Sequence, residues 1–219
     1  MHPNLTPHIM IDKYKIKHKI VHLKINRGAD LVRSAFQRSF DLGNPASLNE
    51  KDILDWWKNV SKDFKNKVFK PRSKIFDIEV TAFLLAKLDD ITIYSSNYNA
   101  GTKRFRSTYI ISNENVVEMK ALKVRGDMDY QLTDTEKHIV KPTKPVLVTW
   151  MDAISNHTLG TAEVIMKKSI ITPIKFAGFL IGTANDSLYT ATAYSKEVNK
   201  YRGVLVVPLM NVVSVKSLK

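Results

Sequence analysis

The sequence predicts an α+β protein: a mixed N-terminal domain over residues 1–140, a linker at 141–145, and a small all-β barrel over 146–219. Three observations predict it. Residues 47–69 place apolar side chains at helical spacing behind a capping box. Residues 13–26 and 91–124 show the alternation and short apolar runs of strands. Beyond Lys141-Pro142-Thr143-Lys144-Pro145 the pattern becomes short β runs alone.

Taken in order, KYKIKHKIVHLKIN at 13–26 puts Lys13, Lys15, Lys17 and Lys19 on one face and Tyr14, Ile16 and Ile20 on the other, the period of a strand. The apolar set then shifts to Val21, Leu23 and Ile25, which predicts a β-bulge near Ile20 and Val21. Residues 29–40 read as a short helix, with Val32, Ala35, Phe36 and Phe40 on one side. Ser47-Leu48-Asn49-Glu50 is a capping box for a longer helix, striped by Ile53, Val60, Phe64 and Val68 and stopped by Pro71. Trp56 and Trp57 are adjacent, so only one of them can point fully inward from that helix.

Residues 74–89 fit a helix or a strand, and the Leu, Ala and Lys of their second half favour a helix. Strands follow at 91–98, 104–112 and 116–124, with turns at 99–102 and 113–115. KPTKP bars both a helix and a central strand, hence the linker. Strands at 146–150, 176–183, 189–194, 203–207 and 212–218 then make the barrel, with a brief helix or loop around 161–169. No internal repeat and no heptad pattern stands out.

The chain has 219 residues, 44 % apolar and 25 % charged, a globular and not a disordered composition. It has no cysteine, which excludes disulfides, zinc fingers and thiol nucleophiles. The opening MHPNLTPHIM has neither a basic nor an apolar leader pattern, and no apolar run is long enough for a bilayer. A cytoplasmic protein without a membrane partner is expected. The formal charge is +13, distributed as +9 over residues 1–74, −1 over 75–143 and +5 over 144–219. Such a field draws polyanions. Nucleic acid, DNA or RNA, is the expected partner, with an acidic protein or a homo-oligomer as the alternatives.

Two features carry candidate binding residues. Lys13, Lys15, Lys17, Lys19 and Lys24 line one strand, where alternate residues stand about 7 Å apart, a fit to phosphates. The same lysines would also guard an edge strand against pairing. Tyr98, Lys103, Arg104, Phe105 and Arg106, flanked by Tyr94 and Tyr109, form a basic hairpin with interleaved aromatics. Rings of this kind stack on bases while the cations hold phosphates; the alternative is a core-facing aromatic row. Catalysis has little support. Asp77-x-Glu79 near Lys74 and Lys87 is a faint nuclease-like grouping. His18 and His22 lie four apart, about 13 Å along a strand, too far for one metal. No catalytic residue, metal or cofactor is expected.

Val148-Thr149-Trp150-Met151-Asp152-Ala153, Ala177-Gly178-Phe179-Leu180-Ile181 and Val206 to Leu218, VVPLMNVVSVKSL, give the last third its character. This segment resembles small uncharacterised β proteins of bacteriophages and prophages, and its ending is similar to small barrels of the Sm-like and Tudor-like kind. The resemblance implies a viral origin and a fold, and it carries over no functional residues. The expected function is a phage-type, non-catalytic nucleic-acid-binding accessory protein. A virion or assembly protein whose barrel docks on protein partners is the alternative, and a metal-dependent nuclease a distant third.

Overall fold

The computed structural model describes residues 19–26, 32–33, 50–69, 77–100, 104–128, 138–152 and 172–219. Their strands join in one antiparallel sheet of twelve. In chain order these are β1 (Ile20–Asn26), β2 (Val32–Arg33), β3 (Asp77–Lys87), β4 (Ile91–Asn99), β5 (Arg104–Ser112), β6 (Val116–Leu122), β7 (Val124–Asp127), β8 (His138–Asp152), β9 (Thr172–Ala184), β10 (Ser187–Ser195), β11 (Lys200–Pro208) and β12 (Val212–Leu218). Two short α-helices, α1 (Glu50–Asn59) and α2 (Lys62–Phe69), lie between β2 and β3. No helix among the described residues is long and apolar enough to cross a membrane.

The predicted α+β domain followed by a small barrel is therefore corrected to a mostly-β protein with a large antiparallel sheet. The predicted helix at 74–89 is β3. Its apolar run is nearly continuous because both faces of the strand are buried, which hides the alternation. Within the predicted helix at 29–40, Val32 and Arg33 pair with β5, and the rest lies outside the described residues. The long helix is two. Ser61 separates them, its Oγ accepting the Phe64 N–H at 3.3 Å as an N-cap. The capping box at Ser47–Glu50 falls almost wholly outside the described residues. The bulge expected at Ile20 is absent: β1 pairs with β3 unbroken, and Ile20 and Val21 are both buried because a core covers each face.

The expected linker lies inside β8. Its register with β9 shifts between Ile139 and Lys144, so Pro142 falls within an irregularity where no ladder N–H is required. The boundary drawn there is also crossed by pairing, since β3 joins β10, β4 joins β9 and β7 joins β12.

An internal repeat underlies the sheet. β4, β5 and β6 match β10, β11 and β12 at an offset of 96 residues, so Ile91 corresponds to Ser187, Arg104 to Lys200 and Val116 to Val212. The strand orders are β6-β1-β3-β4-β5 and β12-β8-β9-β10-β11. The irregularities repeat as well. β3 skips Leu85 against β4 as β9 skips Ile181 against β10, and β6 skips Val117 against β1 as β12 skips Val213 against β8. A 3-10 turn follows β5 and β11 alike, tied by Asn113 N–H to Asp90 O at 2.9 Å and by Leu209 N–H to Asp186 O at 2.8 Å. Without a gap, 11 of the 46 residues from Asp77 to Leu122 equal those from Pro173 to Leu218, few enough to escape a reading by eye.

Each unit curls around its own core. Val21, Leu23, Val80, Tyr94 and Ile111 fill the first, and Val146, Val148, Phe176, Leu188 and Val207 the second. A third cluster joins them: Phe83, Tyr98 and Phe105 of the first unit meet Leu147, Ala177 and Leu218 of the second. The backbone junction is isologous. Val80 pairs with Ala193 and Glu79 with Tyr194, while Asn97 pairs with Phe176 and Tyr98 with Lys175. The offset converts each set into the other, which defines a pseudo-two-fold axis within one chain.

Gly178, in β9, leaves no room for a side chain. A β-carbon there would collide with the Phe176 ring and the Ala191 carbonyl oxygen, whereas one at Gly126 would meet nothing. Gly178→Ala is expected to cost about 1–3 kcal/mol in urea unfolding, and Gly126→Ala to stay within about 0.5 kcal/mol of the parent.

Candidate functional site

Of the residues expected to bind, Lys13, Lys15, Lys17 and Lys103 lie outside the described residues. Arg104 and Arg106 are in β5, opposite Asn99 and Asn97, with their side chains outside the description. Lys24 is ion-paired with Asp77 at 3.0 Å, and that hydrogen bond raises its pKa. Tyr98 and Phe105 are 7 % and 5 % exposed. They face each other across β4 and β5 with ring centroids 4.9 Å apart, inside the cluster between the units, so neither offers a face to a base.

The nuclease-like pair is engaged as well, Asp77 by Lys24 and Glu79 by His22 at 4.0 Å. Burial lowers the His22 pKa, outweighing the opposing pull of Glu79. No group of three His, Cys, Asp or Glu that could hold a metal occurs among the described residues. Trp57, on α1, is buried, its Nε1–H donating to Asp90 Oδ2 at 3.1 Å, and Trp56 is partly buried beside it.

Lys19 belongs instead to a grouping that the pairing creates. Lys123 and Lys219 exchange both backbone hydrogen bonds, N to O at 2.6 and 3.0 Å, so they stand directly opposite each other on one face. The β1–β6 register, Ile20 opposite Leu122, continues to Lys19 beside Lys123. The β8–β12 register, Val146 opposite Ser217, runs on toward Lys144 and Lys219. Four exposed lysines thus follow one another across adjacent strands, about 5 Å apart per step. No ion pair neutralises any of the four among the described residues, and like charges set opposite each other oppose folding. The row obeys the pseudo-symmetry, with Lys123 corresponding to Lys219 and Lys19 to Lys144. The signal available in the sequence was Asn-Val-Val-x-x-Lys-x-Leu, present at 115–122 and again at 211–218.

The axis also meets a pocket of about 440 Å³, within the size range of small-molecule sites. It opens where β4 and β10 part company between β3 and β9. Residues equivalent by the offset line it in pairs: Val80 and Phe176, Ser96 and Thr192, Asn97 and Ala193. Tyr94 breaks the symmetry, since Thr190 takes its place in the second unit. Its ring stacks on Tyr109 at 5.3 Å, and its hydroxyl, fully buried, has no hydrogen-bond partner. Burial pushes the Tyr94 pKa far up, so the hydroxyl keeps its proton.

The units differ further on their outer faces. In the first, β2 pairs with β5 at Tyr109 and Ile110, and the helices cover Ala86, Ile93 and Ile110, with Trp57 and Val68 in the same cluster. In the second, the corresponding Val206 is 48 % exposed, Val204 is 54 % exposed, and among the described residues β11 has no strand on its outer edge.

No family model, curated protein or solved structure matches the chain.

A buried hydroxyl without a partner costs about 1–3 kcal/mol of desolvation. Tyr94→Phe, which keeps the ring and its stacking, is expected to leave urea stability unchanged or raise it by about 1 kcal/mol.

Proposed function

We propose that this protein is a non-catalytic nucleic-acid-binding accessory protein, of the phage type its C-terminal resemblance implies, holding a phosphate backbone on Lys19, Lys123, Lys144 and Lys219. The observation that carries the reading is the row itself: four unneutralised cations on neighbouring strands, repeated by symmetry, in a chain of net charge +13. A polyanion removes the mutual repulsion of such a row and releases its own counterions. Lysine side chains contact phosphate oxygens, and nothing in the row reads base edges. Sequence-independent binding follows.

In filter-binding or anisotropy titrations at several salt concentrations, the protein is expected to bind DNA or RNA with a steep salt dependence. Replacing all four lysines with alanine should weaken binding equally for unrelated sequences. On duplex DNA it should flatten the slope of log K against log salt by about three to four, at about 0.9 per phosphate contact. A parent that binds neither nucleic acid at low salt, or an unchanged slope in the variant, contradicts the reading.

The outer edge of β11, which pairs with no strand among the described residues, favours a second reading, an assembly protein that docks on a partner. The occupant it fits is an extended acidic peptide adding antiparallel to β11 at Leu205 and Val206, as β2 adds to β5. Apolar side chains of that peptide would cover Val204 and Val206, and its carboxylates would meet Lys200 and Arg202. Peptides selected from a displayed random library should then alternate apolar with Asp or Glu and fail to bind a Val204→Lys, Val206→Lys variant. Selection of no peptide, or equal binding to that variant, counts against this reading.

A further inference from the structure

We infer that the lysine row docks on duplex DNA across the minor groove, with Lys19 and Lys123 on one backbone and Lys144 and Lys219 on the other. This rests on the nucleic-acid reading above and names the form of nucleic acid that the row takes. The observation that carries it is the place of the pseudo-two-fold axis. Lys123 and Lys219 are equivalent by the offset, and they exchange both backbone hydrogen bonds, so the axis passes between them. The registers that set Lys19 beside Lys123 and Lys144 beside Lys219 carry the same relation outward. All four lysines are exposed, and residues directly opposite each other in antiparallel strands share a face. The row is therefore a line of four accessible cations with a dyad at its centre.

The symmetry of the row chooses its target. The two backbones of a DNA duplex run antiparallel, so a dyad in the plane of each base pair relates one to the other across the groove. A two-fold protein that lays its own axis along that dyad meets the same backbone geometry with each half. A single strand runs one way and has no such axis, so it meets the two halves of the row in unlike directions. The dimensions choose the groove. The inner lysines are a hydrogen-bonded pair, about 5.5 Å apart at Cα, and the mouth of the minor groove is about 6 Å wide. Three strand spacings put the outer lysines about 15 Å apart, so their side chains reach past that mouth to the phosphates on either side. The major groove, about 12 Å wide, sets both walls beyond the inner pair. An A-form RNA duplex has a wide, shallow minor groove and fits the row less well.

The test is a set of anisotropy titrations of the full chain, at several salt concentrations, with a DNA duplex, each of its strands alone and the RNA duplex of the same sequence. The DNA duplex is expected to bind most tightly. Lys19→Ala with Lys123→Ala, and Lys144→Ala with Lys219→Ala, should each flatten the duplex slope of log K against log salt by about 1.8, at about 0.9 per contact. On a single strand either half can stand in for the other. Each double variant should then bind a single strand nearly as the parent does, and only the variant lacking all four lysines should lose affinity. Crosslinking reads the geometry directly. The chain has no cysteine, so Lys19→Cys with Lys144→Cys places photo-crosslinkers at those two positions alone. With the two DNA strands dyed differently, denaturing gels should show single protein molecules joined to both. Lys19→Cys with Lys123→Cys should give molecules joined to one strand. A parent that binds no nucleic acid at low salt overturns this inference together with the reading it rests on. Equal affinity for duplex and single strand, an RNA duplex held as tightly as DNA, or one strand per molecule in the Lys19, Lys144 crosslink overturns the inference and leaves that reading in place.

Discussion

Everything in this structure depends on how the edges of β3 and β9 are divided. Each has one edge filled by a single neighbour, β1 for β3 and β8 for β9. The opposite edge is shared. β3 receives β10 at Glu79 and Val80 and β4 from Phe83 onward, while β9 receives β4 at Ile174 to Phe176 and β10 from Phe179 onward. Only strands as long as these, 11 and 13 residues, can hold two partners in line. The division joins the units by backbone hydrogen bonds, which fixes their register more firmly than side-chain packing alone. It also opens the gap that becomes the axial pocket, and it protects edges that would otherwise invite foreign strands.

The sequence was legible where turn residues bracket short β-branched and aromatic runs. The strands at 91–98, 104–112 and 212–218 were read within a residue or two for that reason, although β4 is buried on both faces. It failed where the apolar residues gave no clear period. β3 lost its alternation and passed for a helix, and β1 seemed bulged at Ile20 and Val21 because each belongs to a different core. KPTKP passed for a linker because proline rules describe a regular ladder, and β8 is irregular there.

The reading of Tyr98 and Phe105 as base-stacking rings failed for a related reason. Tyr98 and Phe105 alternate with cations as a nucleic-acid hairpin would, yet alternation says only that two sides differ, not which side is wet. The lysine row was hidden because its members are scattered from position 19 to 219 and meet only through pairing. The duplication held the missing information. Once residue 115 is set beside 211, Lys123 falls on Lys219 and the row can be anticipated. At 11 matches in 46, spread over β-branched and aromatic exchanges, the two copies keep shape and not identity.

A chain that carries one strand plan twice faces a kinetic hazard. β6 and β12 share Asn-Val-Val-x-x-Lys-x-Leu and the same bulge, so while the chain is collapsing either could settle beside β1 or β8. Such a swapped intermediate would satisfy most backbone groups and would have to unpair before maturing. The differences between the copies act against it. β6 carries Glu118 opposite Lys24, a charge match that Ser214 of β12 cannot reproduce, while Thr149 of β8 asks for no carboxylate. Divergence in the repeat thus sorts the partners as the chain folds, and a consensus version with identical halves would fold more slowly and aggregate more readily.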